Sequence, residues 1–177
     1  MSDRSEVLFL GGRSGVGKSS VAVQLHVQLS DADVRHCLIE GDNLDLAHPP
    51  PWEHHLAARN LAAIWANYRD LGYRRMIYTN TVSVRHVEEL TAAMGDDPRV
   101  TAVLLTSSDA TARERLARRE IGTALAEHVE RSAAAARSLD ALAPATVHRV
   151  PTDGRTVADL AARLLRLTGW AGLPPTA

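Results

Sequence analysis

The sequence has one cysteine, no excess of either charge and no apolar run long enough to cross a bilayer. Each absence removes a class of protein. Cys37 has no partner for an internal disulfide, which points to a core thiol in a reducing compartment. The formal net charge is −1 at pH 7, acidic and basic residues are interspersed, and there is no basic tail or aromatic-basic stripe. Nucleic acid is therefore not expected as a partner, and neither is a membrane. Met1 to Glu6 are largely polar, with no secretory core behind them, so a cytoplasmic location is expected. No internal repeat is present, and 177 residues amount to about one domain, taken as 1–177. Trp52, His54 and His55 either line a substrate pocket or face solvent; with His48 the histidines lack metal-ligand spacing, and solvent-facing is the preferred reading.

What is present is Gly12-Arg13-Ser14-Gly15-Val16-Gly17-Lys18-Ser19, a full match to G-x-x-x-x-G-K-[ST]. It follows the apolar run Val7 to Leu10 and precedes Ser20 to Leu29, whose apolar residues recur at helical spacing. A strand entering such a loop and a helix leaving it let glycines turn backbone N–H groups onto phosphate oxygens, with the helix N-terminus adding positive charge. The expected nucleotide-binding residues are Gly12, Ser14, Gly15, Val16, Gly17, Lys18, Ser19 and Ser20. Lys18 is expected on the β- and γ-phosphates, and the Ser19 hydroxyl on Mg²⁺. No Asn-Lys-x-Asp guanine-reading sequence occurs, so ATP is expected rather than GTP.

Apolar segments predict strands at 7–10, 34–39, 75–78, 100–106 and 146–150. Helical patterns fall between them at 19–29, 53–71, 84–94, 111–119, 124–142 and 156–167. This alternation predicts an α/β fold, a parallel sheet with helices on both faces. The tail, 169–177, is expected to fray or pack loosely.

In such sheets ligands bind beyond the carboxyl ends of the strands. After the second strand stands Glu40-Gly41-Asp42-Asn43, where Asp42 is either the group that orients an acceptor hydroxyl and takes its proton or a cap of the next segment. After the third stands Tyr78-Thr79-Asn80-Thr81, with no acidic residue for the metal shell of a motor or switch ATPase. Thr79 and Asn80 suit a polar acceptor, or serve as turn residues. Arg115 and Arg119, four apart on a helix with Arg118 nearby, fit a lid over about 111–125 that neutralises transferred charge, or a solvated helix with a Glu114–Arg118 pair. Arg155, in the turn Thr152-Asp153-Gly154-Arg155, is placed beside the nucleotide base.

These residues resemble the small P-loop kinases of the nucleoside-monophosphate-kinase-like group, among them adenylyl-sulfate, shikimate and gluconate kinases and chloramphenicol phosphotransferase. Glu40-Gly41-Asp42-Asn43-Leu44 is similar to the D-G-D-N-V segment of adenylyl-sulfate kinase, and the stretch from Glu53 through Arg59 to Gly72 to its helix carrying N-I-R-R. The resemblance implies a three-layer P-loop fold with a five-stranded sheet in the order 2-3-1-4-5. It also implies Asp42 with Asn43 and Arg59 at the acceptor, and Arg115 and Arg119 as lid arginines. Asp45 and Asn60 stand where that family carries arginines, which argues against a doubly charged acceptor. The expected activity is phosphoryl transfer from ATP to a hydroxyl of a small molecule such as a nucleoside, a sugar or an antibiotic-like compound, by a monomer or homodimer. The alternatives are a nucleotide-binding regulator without transfer activity and adenylyl-sulfate kinase itself.

Overall fold

The computed structural model describes residues 4–118 and 123–170. Five strands, β1 (Glu6–Gly11), β2 (Cys37–Glu40), β3 (Arg75–Thr79), β4 (Arg99–Thr106) and β5 (His148–Pro151), form one parallel sheet in the order β2-β3-β1-β4-β5. Side chains alternate across a strand, and the apolar runs are continuous, so each strand feeds two cores at once. Val7 and Phe9 of β1 join Met76, Tyr78 and Leu104 on one face, against Leu61 and Trp65 of α2 (Leu56–Asp70), Leu90 and Met94 of α3 (Val87–Met94), and Leu139 of α5 (Thr123–Leu142). Leu8 and Leu10 join Ile77, Val103 and Leu105 on the other face, against Val21, Leu25 and Leu29 of α1 (Lys18–Asp31) and Leu160, Leu164 and Leu165 of α6 (Val157–Thr168). The remaining helix, α4 (Asp109–Ala117), follows β4 and is capped by the Ser108 hydroxyl, which accepts from the Thr111 N–H.

Several expected boundaries move for identifiable reasons. The segment 34–36 does not open β2: the Val34 N–H donates to the Leu29 carbonyl at 2.8 Å, after Asp33 at φ +52°, and so closes the end of α1. The long helix expected over 53–71 is α2, but it starts at Leu56, after a short 3₁₀ turn, Trp52–His54, and His55 at φ +49°. The helix expected from residue 84 is likewise a 3₁₀ turn, Ser83–Arg85, followed by α3. The tail does not fray where it is described, because Trp170 is buried in the second core and its indole N–H donates to Glu6 at 3.0 Å. Residues 171–177 of that expectation lie outside the described residues, as do Arg119 and the rest of 119–122 in the expected lid. Cys37 is a core residue, its thiol pushed up to about 12 by burial. Among the described residues no helix is long and apolar enough to cross a membrane.

Candidate active site

Because every strand runs the same way, the loops leaving the carboxyl ends of β1, β2 and β3 gather at one edge of the sheet. The loop after β1 turns on glycine: Gly12, Gly15 and Gly17 take φ values of +143°, +81° and +103°, a region that side chains rarely adopt. A Cβ on Gly12 would stand 2.7 Å from the Leu105 carbonyl oxygen, and one on Gly15 2.9 Å from that of Ala112. The loop therefore lies directly against β4 and α4. It enters α1 through Gly17 with no side-chain cap, so the amides of the first turn keep their N–H groups for a bound anion. Lys18 is the sole lysine of the sequence, and its Nζ donates to the Gly12 carbonyl at 2.7 Å. Ser14, Gly15, Gly17, Lys18, Ser19 and Ser20 line a cavity of about 200 Å³, closed on its far side by Asp42, Thr81 and His128.

A second cavity, of about 470 Å³, adjoins the first. Asp42, on a 3₁₀ turn over Gly41–Asn43, is the one residue that lines both. Its Oδ1 accepts from Asn80 Nδ2 at 2.7 Å and from the Thr81 N–H at 3.3 Å, which ties the ends of β2 and β3 together. Its Oδ2 makes no hydrogen bond among the described residues. The wall of this cavity includes Asp45, His55, Tyr78, Asn80, His86 and Glu89. Glu89 is held between two imidazoles, His55 Nδ1 at 2.9 Å and His86 Nδ1 at 3.3 Å, and the His55 hydrogen bond leads the interactions that keep its carboxyl below the usual range. Burial, and after it the negative charges of Asp42, Asp45 and Glu89, holds the Tyr78 phenol well above its ordinary pKa. Tyr78 stays a neutral hydroxyl.

A third cavity, about 200 Å³, lies on the opposite side of the loop and is lined by Gly15, Val16, Gly17, Arg115, Arg118 and Arg155, among others. Arg115 spans it: Nη1 donates to the Val16 carbonyl at 2.9 Å and to Thr152 Oγ1 at 3.0 Å, strapping the loop to the turn after β5. Arg118 pairs with Glu114 at 2.6 Å, the ordinary helix pair that the sequence allowed. Asp153 accepts from Ser108 and Thr111 and is kept below the usual carboxylate range by those bonds, Thr111 first.

Expected and observed placements separate cleanly. Asp42 and Asn80 meet at the second cavity, and the loop residues line the first or third, except Gly12, which underlies the loop against β4. Thr79 is not a wall residue. It is fully buried and its hydroxyl donates to the Glu40 carboxylate, because β3 extends through it and alternation turns it to the face opposite cavity-lining Tyr78. Asn43 and Arg59 are exposed and line none of the three cavities. Asp45, already expected near the acceptor, lines the second cavity, and His55 is exposed as expected while its ring also forms part of that wall; the sequence reading missed Tyr78, His86 and Glu89 there. It also missed Arg13, a variable position of the motif. Arg13 is 2% exposed, donates from Nε to Ser132 at 2.9 Å and is paired with Asp109, whose carboxyl it holds below its usual range; Ser132 in turn donates to the Ser14 carbonyl at 2.8 Å. The only local hint was the i, i+3 spacing of His86 and Glu89.

The adenylylsulphate kinase family model matches residues 4–49, which run from β1 through the phosphate loop to just beyond the Asp42 turn. No curated protein sequence matches the chain. Among solved structures, a tunicamycin resistance protein of Deinococcus radiodurans superposes with a TM-score of 0.65 at 19% identity, over 94% of this chain and 96% of that one. An APS kinase of Mycobacterium tuberculosis, solved with AMPPNP and APS, gives 0.59 at 19% identity, over 93% and 97%. A gluconokinase of Sinorhizobium meliloti gives 0.58 at 18% identity, over 96% of each chain. Over nearly its whole length, this chain has the fold of the small P-loop kinases.

Proposed function

We propose that the protein is a kinase that transfers the γ-phosphoryl group of ATP to a hydroxyl of a small molecule. The observation that carries this reading is the position of Asp42, which forms the shared wall of the phosphate-loop cavity and the larger cavity beside it. A nucleotide phosphate on the loop and a hydroxyl in the second cavity would meet at that carboxylate. The hydroxyl oxygen forms a bond to the γ-phosphorus, the bond from that phosphorus to the β,γ-bridging oxygen breaks, and ADP departs. The hydroxyl proton passes to Asp42 Oδ2, the oxygen left open when Asn80 and Thr81 engage Oδ1. The uncapped α1 N-terminus and Lys18 would offset phosphate charge, and Arg115, with Arg119, is assigned the same role on the nucleotide side. Ser19, in the first turn of α1, fits the place of an Mg²⁺ ligand, and Ser14 and Ser20 add oxygens to the same cavity. An Mg²⁺ ion held there would supply positive charge to offset that of the phosphates.

Adenylyl sulfate is a poor fit as acceptor. The family match ends at residue 49, and the acceptor cavity contributed largely by the chain beyond it has carboxylates where an anion would need cations. Incubation with labelled ATP, Mg²⁺ and a panel of hydroxyl compounds that includes adenylyl sulfate tests the proposal. A phosphorylated small molecule is the expected product. ATP binding with no labelled product from any acceptor would favour a nucleotide sensor instead.

A further inference from the structure

We propose that the acceptor is a cationic hydroxyl compound, of the amino-sugar or amino-cyclitol class, whose protonated amine is held by Asp45 and Glu89 while its reacting hydroxyl faces Asp42. The inference rests on the kinase reading and names the substrate class of that same site.

Charge comes first. Asp42, Asp45 and Glu89 all line the cavity, and among the described residues no lysine or arginine does. Its only basic side chains are His55 and His86, and both direct Nδ1 at Glu89. A carboxylate, sulfate or phosphate on the acceptor would face three carboxylates without a permanent countercharge, so the wall selects against anions as much as for cations. A metal ion does not account for the acidity, since among the described residues no group of three potential ligands is arranged to hold one. An organic cation remains.

Tyr78 supplies an independent pointer to a ligand. Only 1% of the residue is exposed and it lines the cavity, yet its hydroxyl has no hydrogen-bond partner among the described residues. With the rest of the side chain buried, that hydroxyl is the part left open to the cavity. The neutral hydroxyl can accept from an ammonium group or donate to a ring hydroxyl of the acceptor. Gly41 permits this placement: a Cβ there would run into the Tyr78 ring and hydroxyl. Leu56, Val82 and Leu90 add an apolar side to the cavity, whose volume of about 470 Å³ suits a small cyclic body bearing the polar groups.

The test uses matched pairs: amino sugars and amino cyclitols, their N-acetylated forms, and carboxylated sugars of similar size. Labelled ATP reads transfer, and calorimetry in the presence of a non-hydrolysable ATP analogue reads binding. The free amine is expected to exceed its N-acetyl counterpart by about tenfold in kcat/KM, the scale of a partly solvated ion pair. Glu89→Gln and Asp45→Asn should each shrink that ratio several-fold, mainly by raising KM for the amine, and 0.5 M salt should shrink it in the unmodified protein. Transfer to N-acetylated or carboxylated members that equals or exceeds transfer to the amines overturns the inference and leaves the kinase reading intact. If ATP binds and no member is phosphorylated, the inference falls, and the kinase reading falls with it only if the broader panel of hydroxyl compounds also gives no labelled product.

Discussion

Replacing Asp42 with Asn separates the two things this side chain does. Oδ1 accepts two hydrogen bonds, from Asn80 Nδ2 and the Thr81 N–H, and an amide carbonyl in the same place accepts both. The turn at 41–43 should therefore hold its shape, and KM for both substrates should change little. At the Oδ2 position the substitution puts an NH₂ group, which donates and cannot take a proton. The loss is then confined to the transfer step. General bases contribute about 10²- to 10⁴-fold, so kcat should fall by that factor, equivalent to ~3–5 kcal/mol of transition-state stabilisation. Steady-state ADP release with a saturating acceptor gives kcat, and a single-turnover measurement shows whether chemistry has become the slow step. Nucleotide titration should give the unmodified affinity. A kcat within about threefold of the original would remove Asp42 as the proton acceptor. A loss entirely in acceptor KM would make it an anchor of the ground state instead.

Two further outcomes follow from packing and protonation. Gly41→Ala drives a methyl group into Tyr78 and to within 2.8 Å of the Thr79 carbonyl oxygen, an overpacking that costs about 1–3 kcal/mol and lowers the melting temperature by roughly 2–12 °C for a chain of this size. Because Tyr78 lines the acceptor cavity alone, acceptor KM should rise while ATP affinity stays, and an unchanged melting temperature would show that the turn yields freely. His36 donates from Nδ1 to the Val34 carbonyl at 2.6 Å, so in its neutral form Nε2 is the acceptor facing His26 Nδ1 at 2.9 Å. Burial, aided by the charges of His26 and Arg75, depresses the His36 pKa below 6.5, so below that pH the unfolded chain binds the extra proton. Its contribution to stability is complete above pH 6.5 and is lost as the pH falls through the folded value. Urea unfolding at pH 7.5 and 5.5 should show a larger drop for the unmodified protein than for His36→Gln, and equal drops would discount the pair.

What could be read from residues alone was what is local in the chain. The phosphate loop is eight consecutive residues, and its strand and helix are the nearest neighbours on either side. The continuous apolar runs at 7–10 and 100–106 announced buried parallel strands, and Asp42 stood out because it follows one directly. Most of the acceptor cavity's remaining wall was not legible, since His55, Tyr78, His86 and Glu89 come from separate parts of the chain and only the crossovers bring them together. Thr79 was misplaced for a finer reason: the strand expected to end at residue 78 runs one residue further, and alternation then turns Thr79 away from the face of Tyr78. The burial of Arg13 depends on Ser132, 119 residues away, and no periodicity within the loop reports that.

Lys18 has a consequence outside catalysis. Lysine ε-amine chemistry on this sequence has a single address, and that address is the phosphate loop. An acylating reagent directed at lysine side chains would thus act as an occupancy gauge, its yield at one residue tracking how much of the protein holds nucleotide, without a reporter group having to be engineered in. The same arithmetic applies inside a cell: acetylation of a lysine side chain here could not be a neutral surface mark, because it would cancel the charge of the amine that now donates to the Gly12 carbonyl within the loop.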